Sequence, residues 1–451
     1  MAMGLLYVGL HTLTPRQAAL KGWLYGVALF ASGTSWVYVS IHDYGYTGVP
    51  LAVFLTALFV GGAGALLFGH VLALPPLHRP PAGRCSPLLV RGCWARCCAL
   101  TCSPASLGCW SARATWTPPL ANWAPVGGVY LLSLLVVLTG TLGAELLRRQ
   151  WWVALPLAAI WLAPLALPSQ WTTPVSEPTR VALLQGNLPQ LLKWTPEGQR
   201  TAANTYSELT REVADETDLI VWPETALPMI DSQARPVLER VQSNLPPETA
   251  LITGIVQLDE NDRYFNSVIG VGNVEGSYQK EHLVPFGEYL PLESLLRGAI
   301  NFFDLPMSSF TKGASEQVPM QAAGVAIGNA ICYEIIYPAL VAKRAADSGV
   351  IVTVSNDTWF GASIGPHQHL QMARLRALEN GRYVVRATSN GITAIIDPRG
   401  DVVERAPQFE TTYLTGEFYA MEGLTPFTRL GSLPVWLLAG LLLLPGLVRR
   451  R

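Results

Sequence analysis

Over its first third the chain is built of long apolar runs separated by short polar gaps, and from about residue 179 it changes to short apolar stretches set between amphipathic ones. The runs Leu20–Ile41, Val49–Gly69 and Val126–Leu147 reach the ~20 residues that a helix needs to cross a bilayer. Trp151–Leu167 is a shorter candidate, and Leu433–Val448 closes the chain before Arg449, Arg450 and Arg451. Residues 1–10 are apolar but too short to span, so the chain is expected to begin inside a helix.

In the second region the apolar stretches predict strands at Val181–Gln185, Leu219–Trp222, Leu251–Val256, Asn266–Val271, Val325–Ile331, Val350–Ser355, Tyr383–Thr388 and Thr393–Ile396. The amphipathic stretches predict helices at Glu197–Ala214, Arg235–Ser243, Glu334–Ala346 and Gln368–Asn380. Strands alternating with helices through turn residues such as Gly349 and Asn390-Gly391 predict a layered α/β domain.

Composition sharpens this picture. Hydrophobic residues make up 50% of the 451, charged residues only 14%, and mean hydropathy is +0.29. That is too apolar for an ordinary soluble enzyme and fits a membrane protein with a water-soluble part. A net charge of -1 excludes nucleic acid as the expected partner, which needs a basic face. Acidic residues are sparse before residue 170 and common from there to about 420. The expected organisation is therefore a transmembrane helical bundle over 1–170, an α/β catalytic domain over 171–425 and a last transmembrane helix over 426–451.

Charge also orients the spans, because Lys and Arg favour the cytoplasmic side. Arg16 and Lys21 put the start of the first span inside, and Arg148 and Arg149 do the same for the end of the Val126–Leu147 span. Parity then requires one more crossing between residues 70 and 125, and it places the α/β domain outside. Leu77–Pro119 should hold that crossing, yet it carries Arg79, Arg84, Arg91, Arg96 and Arg113. An arginine at mid-bilayer costs about 2.5–3.5 kcal/mol on insertion scales. Residues 75–120 are thus either an altered, for example frame-shifted, stretch or a basic loop around a poorly recognisable helix. Cys85, Cys93, Cys97, Cys98, Cys102 and Cys109 lie there too, with no C-x-x-C pair and no His among them, so a zinc site lacks its usual spacing. No basic leader with a small-residue cleavage site opens the chain, so export is expected to rest on uncleaved helices.

Cys332, the one cysteine outside that cluster, ends the apolar run before Tyr333 and Glu334 in GNAICYEIIYP. A strand-to-helix corner exposes one side chain and one backbone N–H, and a helix is expected to open at Tyr333 and Glu334. Cys332 is then either a nucleophile or a small thiol packing as a hydrophobe. Glu224 in VWPETALP reads alone as a solvated loop carboxylate, and Lys280 in YQKEHLVPFGEYLP as a surface lysine. Together they change meaning: acyl transfer needs a nucleophile, a general base and a cation at the developing oxyanion, and Cys332, Glu224 and Lys280 supply all three. His367 and His369 have i, i+2 spacing, wrong for two metal ligands on one helical face. Leu290–Leu296 and Phe302–Phe310 put apolar residues on loops, as lipid-dipping arms or as ordinary packing.

Glu in WPE, Lys in KEHLVPFGEYLPLE and Cys in CYE, with QGNLPQLLKW and SNDTWFG, resemble the carbon-nitrogen hydrolase (nitrilase) superfamily and, with the flanking spans, its apolipoprotein N-acyltransferase family. The resemblance covers residues 11–70 and 124–451. The family carries a further helix and a half before the position of residue 1, and its helix at 75–120 is not recognisable here. What the resemblance implies is an α-β-β-α sandwich, with Glu224 as base, Lys280 as oxyanion holder helped by the Tyr333 N–H, and Cys332 as nucleophile. Glu288 and Glu334 match supporting carboxylates, and a lysine beside carboxylates stays charged. Trp194, Asn266 and Arg297 match the lipid-binding pocket or site wall, Trp194 with core packing as its alternative.

The implied partners are a phospholipid acyl donor and a diacylglyceryl apolipoprotein acceptor, met at the bacterial cytoplasmic membrane with the catalytic domain on the periplasmic side. No cofactor is called for, since all three roles fall to side chains, and a monomer is expected. Two other readings remain at this level: a membrane-tethered amidase or nitrilase acting on a small carbon-nitrogen compound, and a non-catalytic product disabled by the 75–120 segment.

Overall fold

A computed structural model describes residues 2–10, 13–73, 119–175, 177–190, 192–290 and 309–448. The 74–118 segment, with its six cysteines, and Arg297 fall outside them. The chain divides into two compact units, one of 1–38, 49–169 and 429–451, the other of 39–48 and 170–428.

The first unit is helical. Helix α1 is Ala2–Leu10, α2 Pro15–Gly33, α3 Val49–Ala73, α4 Ala124–Leu147 and α5 Ala154–Leu162, and a last helix covers Leu433–Val448. Thr14 caps α2: its hydroxyl accepts from Gln17 N, the Gln17 side chain accepts from Thr14 N, and Pro15 at the first position gives up no needed N–H. The expected Leu20–Ile41 span is not one helix. It stops at Gly33, where Thr34 turns its hydroxyl back onto Phe30 O, and resumes at Trp36 with a bend of 57°. Helix α5 has only nine residues, flanked by tight turns at Trp151–Val153 and Ala163–Ala166, too few to span. Among the described residues, Leu120–Leu147 is the one unbroken helix long and apolar enough to cross a membrane. Tyr7 pins α1 to α4 by donating to the buried Glu145 Oε1 at 2.7 Å. Trp23 Nε1 ties α2 to α3 by donating to Gly61 O at 3.1 Å.

The second unit is a double-sheet sandwich. Its strands are β1 Thr173–Pro174, β2 Thr179–Gln185, β3 Leu219–Val221, β4 Ala250–Leu258, β5 Tyr264–Gly272, β6 Val274–Glu275, β7 Ser277–Gln279, β8 Met320–Ala322, β9 Val325–Ile331, β10 Val350–Ser355, β11 Val384–Thr388, β12 Ala394–Ile396, β13 Val402–Arg405, β14 Thr412–Phe418 and β15 Met421–Glu422. One sheet runs β14-β2-β3-β4-β5-β7, the other β13-β12-β11-β10-β9-β8-β6. The centres, β2-β3-β4 and β9-β10-β11, are parallel, as crossover helices require. Those helices are α6 Pro196–Val213, α7 Asp231–Gln242, α8 Pro338–Ala346 and α9 Gly365–Asn380.

Alternation along each strand decides the layers. Val181, Leu183, Leu219, Val221 and Ile252 face Ile327, Ile331, Val352, Val354 and Val385 between the sheets. The opposite sides of the first sheet, Leu184, Ile220 and Trp222, take Ala202, Tyr206 and Leu238 from α6 and α7. Ile351, Val384 and Ile396 of the second sheet take Val341, Ala345, Ala373 and Ala377 from α8 and α9. The order is α-β-β-α.

All eight predicted strands are present, with ends shifted by a residue or two. The helix expected to open at Tyr333 is corrected: Cys332–Ile336 is a 3-10 turn, and α8 starts at Pro338. Proline holds Tyr337 extended at φ -90, ψ 102, which ends the turn before the helix starts. Leu290 and Phe310, expected on exposed loops, are 5% and 9% exposed, and Phe310 packs with Leu283 and Val256.

Candidate active site

The candidate residues sit just past the ends of three strands. Cys332 follows β9, Glu224 follows β3, and Lys280 follows β7. Asn356, which follows β10, donates its backbone N–H to Glu224 Oε2 at 2.8 Å and so fixes that carboxylate. Gly254 on β4 lets the Glu224 loop approach: a Cβ there would lie 2.6 Å from Glu224 Cα.

The Lys280 ammonium is 1% exposed and donates to Glu288 Oε1 at 2.9 Å, with Glu224 Oε1 at 3.5 Å. Burial alone would lower its pKa, but Glu288 and Glu224, with Cys332 beside them, outweigh that and hold it above the ordinary lysine range. Asn266 completes the cluster. Its Nδ2 donates to Glu224 Oε1 at 2.8 Å and to Glu288 Oε1 at 2.7 Å, an orientation forced by two carboxylates that can only accept. The expected wall residue Asn266 is thus a buried brace between carboxylates. Glu288 Oε2 accepts from Val284 N at 2.7 Å, which closes the 284–288 loop on itself.

Cys332 has φ +51, a left-handed conformation that a non-glycine residue adopts only where its surroundings enforce it. Burial, reinforced by Glu224 and opposed by Lys280, pushes its thiol well above the ordinary range. Attack on a carbonyl therefore calls for a base to take the thiol proton. Tyr333 is the second residue of the 3-10 turn, whose first N–H groups have no partner within the turn.

Both oxygens of Glu334 are taken up by donors within the protein. Its Oε1 accepts from Tyr278 OH at 2.9 Å, Glu281 N at 2.6 Å and His282 N at 3.0 Å, and its Oε2 from Ile331 N at 2.8 Å. It is a clamp between the Lys280 segment and the end of β9. Burial pushes its carboxyl up to about 7, against the pull of those donors. Trp194 is 38% exposed, which corrects the core-packing alternative.

Four buried residues without a catalytic assignment from the sequence belong here. Asp357 accepts from Ser355 Oγ and Arg386 Nη2, and it contacts the ring of His369, whose Nε2 meets the Cys332 carbonyl at 3.0 Å. Arg386, alone in the apolar run VVRAT, was the available signal, because a buried arginine needs a carboxylate partner. Lys193, in QGNLPQLLKW, is 3% exposed and is pushed down to about 8 by burial, with Glu224 opposing.

A cation clasped by two carboxylates beside a thiol on a strained strand end can carry out acyl transfer through a thioester. The carbon-nitrogen hydrolase family model matches residues 180–421, and that of the apolipoprotein N-acyltransferase N-terminal domain matches residues 1–142. The apolipoprotein N-acyltransferase of Pseudomonas paraeruginosa is 44% identical over 100% of this chain and 91% of its own length. That of Vibrio cholerae is 38% identical over 97% and 90%. Among solved structures, a carbon-nitrogen hydrolase from Helicobacter pylori aligns with a TM-score of 0.40 and 13% identity over 53% of this chain and 89% of that one. By its full-length relatives and both matched regions, the chain belongs to the apolipoprotein N-acyltransferase family, with a catalytic domain of the carbon-nitrogen hydrolase type.

Proposed function

We propose that the chain moves an acyl chain from a membrane phospholipid to the N-terminal α-amine of a diacylglyceryl-cysteine apolipoprotein, through a thioester on Cys332. The observation that carries this reading is Lys280 buried between Glu224 and Glu288, with Cys332 at the strained end of β9 beside them. In the first half-reaction the Cys332 sulfur attacks the ester carbonyl and its proton passes to Glu224. Lys280 and the Tyr333 N–H hold the oxyanion. Glu224 then protonates the departing lysophospholipid oxygen. In the second, the neutral α-amine attacks the thioester, Glu224 takes its proton and returns it to the leaving thiolate, and an amide remains. Dividing the transfer this way exchanges one hard step for two easier ones.

Glu288 and Asn266 keep Lys280 and Glu224 in place, and Glu334 holds the nucleophile strand to the lysine segment. Trp194 and Arg297 are assigned to the lipid-binding wall. Residues 1–170 and 426–451 are assigned to a multi-pass helical bundle in the bacterial cytoplasmic membrane, and residues 171–425 to the catalytic domain on its periplasmic side. Two membrane-held substrates explain why a hydrolase-like sandwich is joined to a bundle. The protein works as a monomer, without a metal or organic cofactor and without nucleic acid.

A tethered amidase would use the same three residues, so the acceptor separates the readings. Acyl-enzyme freed of excess phospholipid and given a synthetic diacylglyceryl-cysteine peptide should pass its label to the peptide as a hydroxylamine-stable amide. Release of the label only as free fatty acid, with the peptide unmodified, would favour the hydrolase.

A further inference from the structure

Cys332 needs its strained backbone held on both sides. The preceding residue is held through Ile331 N, which donates to Glu334 Oε2 at 2.8 Å. The hold on Cys332 itself comes from α9: His369 Nε2 lies 3.0 Å from the Cys332 carbonyl. A carbonyl can only accept, so Nε2 carries the hydrogen. The ring is fixed from behind: Nδ1 lies 2.9 Å from Asp357 Oδ1 and 3.1 Å from Arg386 Nη2, which itself donates to Asp357 Oδ2 at 2.6 Å. Ser355 Oγ adds a 2.7 Å bond to the same carboxylate from the end of β10. Arg386 and Asp357 are fully buried, and His369 is 6% exposed. Burial alone would raise the Asp357 carboxyl, but Arg386, with His369 and Ser355, outweighs it and holds the carboxyl well below its ordinary range.

We propose that His369 is a positioning residue for the acylation step: backed by Asp357 and Arg386, its Nε2–H grips the carbonyl of Cys332 and keeps the nucleophile at its positive φ, so that the sulfur and the Tyr333 N–H meet the same carbonyl carbon and oxygen. A network that served stability alone could end on any backbone oxygen. This one ends on the nucleophile's own residue, 37 positions away in the chain. The inference rests on Cys332 being the acylated residue.

The test compares His369→Gln with His369→Asn. The Gln amide nitrogen can occupy the position of Nε2 and reach the Cys332 carbonyl, whereas that of Asn occupies the position of Nδ1 and cannot. Thioester formation is followed by intact mass over a range of concentrations of a phospholipid with a labelled acyl chain, alongside alkylation of Cys332 by iodoacetamide and a melting curve. His369→Asn should lose about 100-fold in the limiting acylation rate, as expected for a misplaced reacting group, at unchanged half-saturating phospholipid. It should also change its alkylation rate, and His369→Gln should recover most of both losses. Equal losses in the two variants, a loss in half-saturation only, or wild-type rates in His369→Asn would overturn the proposal. Failure of both variants to fold would also overturn it, by making His369 a folding residue. Absence of a thioester on folded wild type would instead remove the function on which the inference rests.

Discussion

At the scale of residues, the site is a balance of buried charges that no single side chain can leave. Lys280→Met would strand Glu224 and Glu288 without their cation, which costs about 3–5 kcal/mol for a broken buried pair. On the proposed mechanism it would also remove the oxyanion's partner, worth about 10²–10³-fold in rate. Lys280→Arg should not restore activity, because a planar fork does not fit a closed pocket shaped for a point charge. Acylation rates that stayed within tenfold of wild type in Lys280→Met would remove the lysine from the mechanism. Glu334 makes a pH prediction. Its folded pKa of about 7 lies above the ordinary 4.5, so the folded state holds more protons between those values. Its contribution to stability therefore falls as pH rises through that window, by about 3 kcal/mol in all. The melting temperature of wild type minus that of Glu334→Gln should decline from about pH 4.5 to 7 and level off above. A flat difference would mean that the four donors keep the carboxylate ionised. Cys332, Glu224 and Lys280 were legible in the sequence because each sits in a short motif of its own. His369, Asp357 and Arg386 were not, because their meaning lies in contacts between residues 12 to 37 positions apart, closed across α9, β11 and the ends of β9 and β10.

At the scale of elements, strand ends aim the chemistry and close backbone approaches set the aim. Gly254→Ala should displace the Glu224 loop, because its Cβ would meet Glu224 Cα, Pro223 O and Thr225 N, all backbone atoms that cannot rotate away. The expected result is a loss of acylation far larger than the accompanying drop in melting temperature, and a variant with wild-type kinetics would show that β4 does not set the base. The parallel strands could be read in advance because both their faces are buried, so they appear as continuous apolar runs. The edge strands β13 and β14 could not: their side chains are mostly half-buried or exposed, as in the alternation of Thr412–Phe418, and they leave no apolar run. The 3-10 turn at Cys332 was hidden for another reason. Its residues suit a helix, and only Pro338, six positions on, breaks it.

At the scale of the whole molecule, the claim is that a hydrolase-like sandwich has been brought to lipid substrates by helices. If residues 1–170 and 426–451 form the assigned bundle, the protein should stay in the membrane pellet after alkaline carbonate, and protease added to spheroplasts should cut within residues 171–425. Extraction by carbonate would contradict the bundle, and protection from protease would contradict the periplasmic side. The most direct test of the whole account lies at Cys332. Purified protein is incubated with a phospholipid whose acyl chain is labelled, in parallel with Cys332→Ala, and the intact mass is read before and after hydroxylamine. The account predicts one acyl chain on the wild type, removed by hydroxylamine, and none on the variant. A folded wild-type protein that takes up no label, or a label that persists in Cys332→Ala, would contradict it.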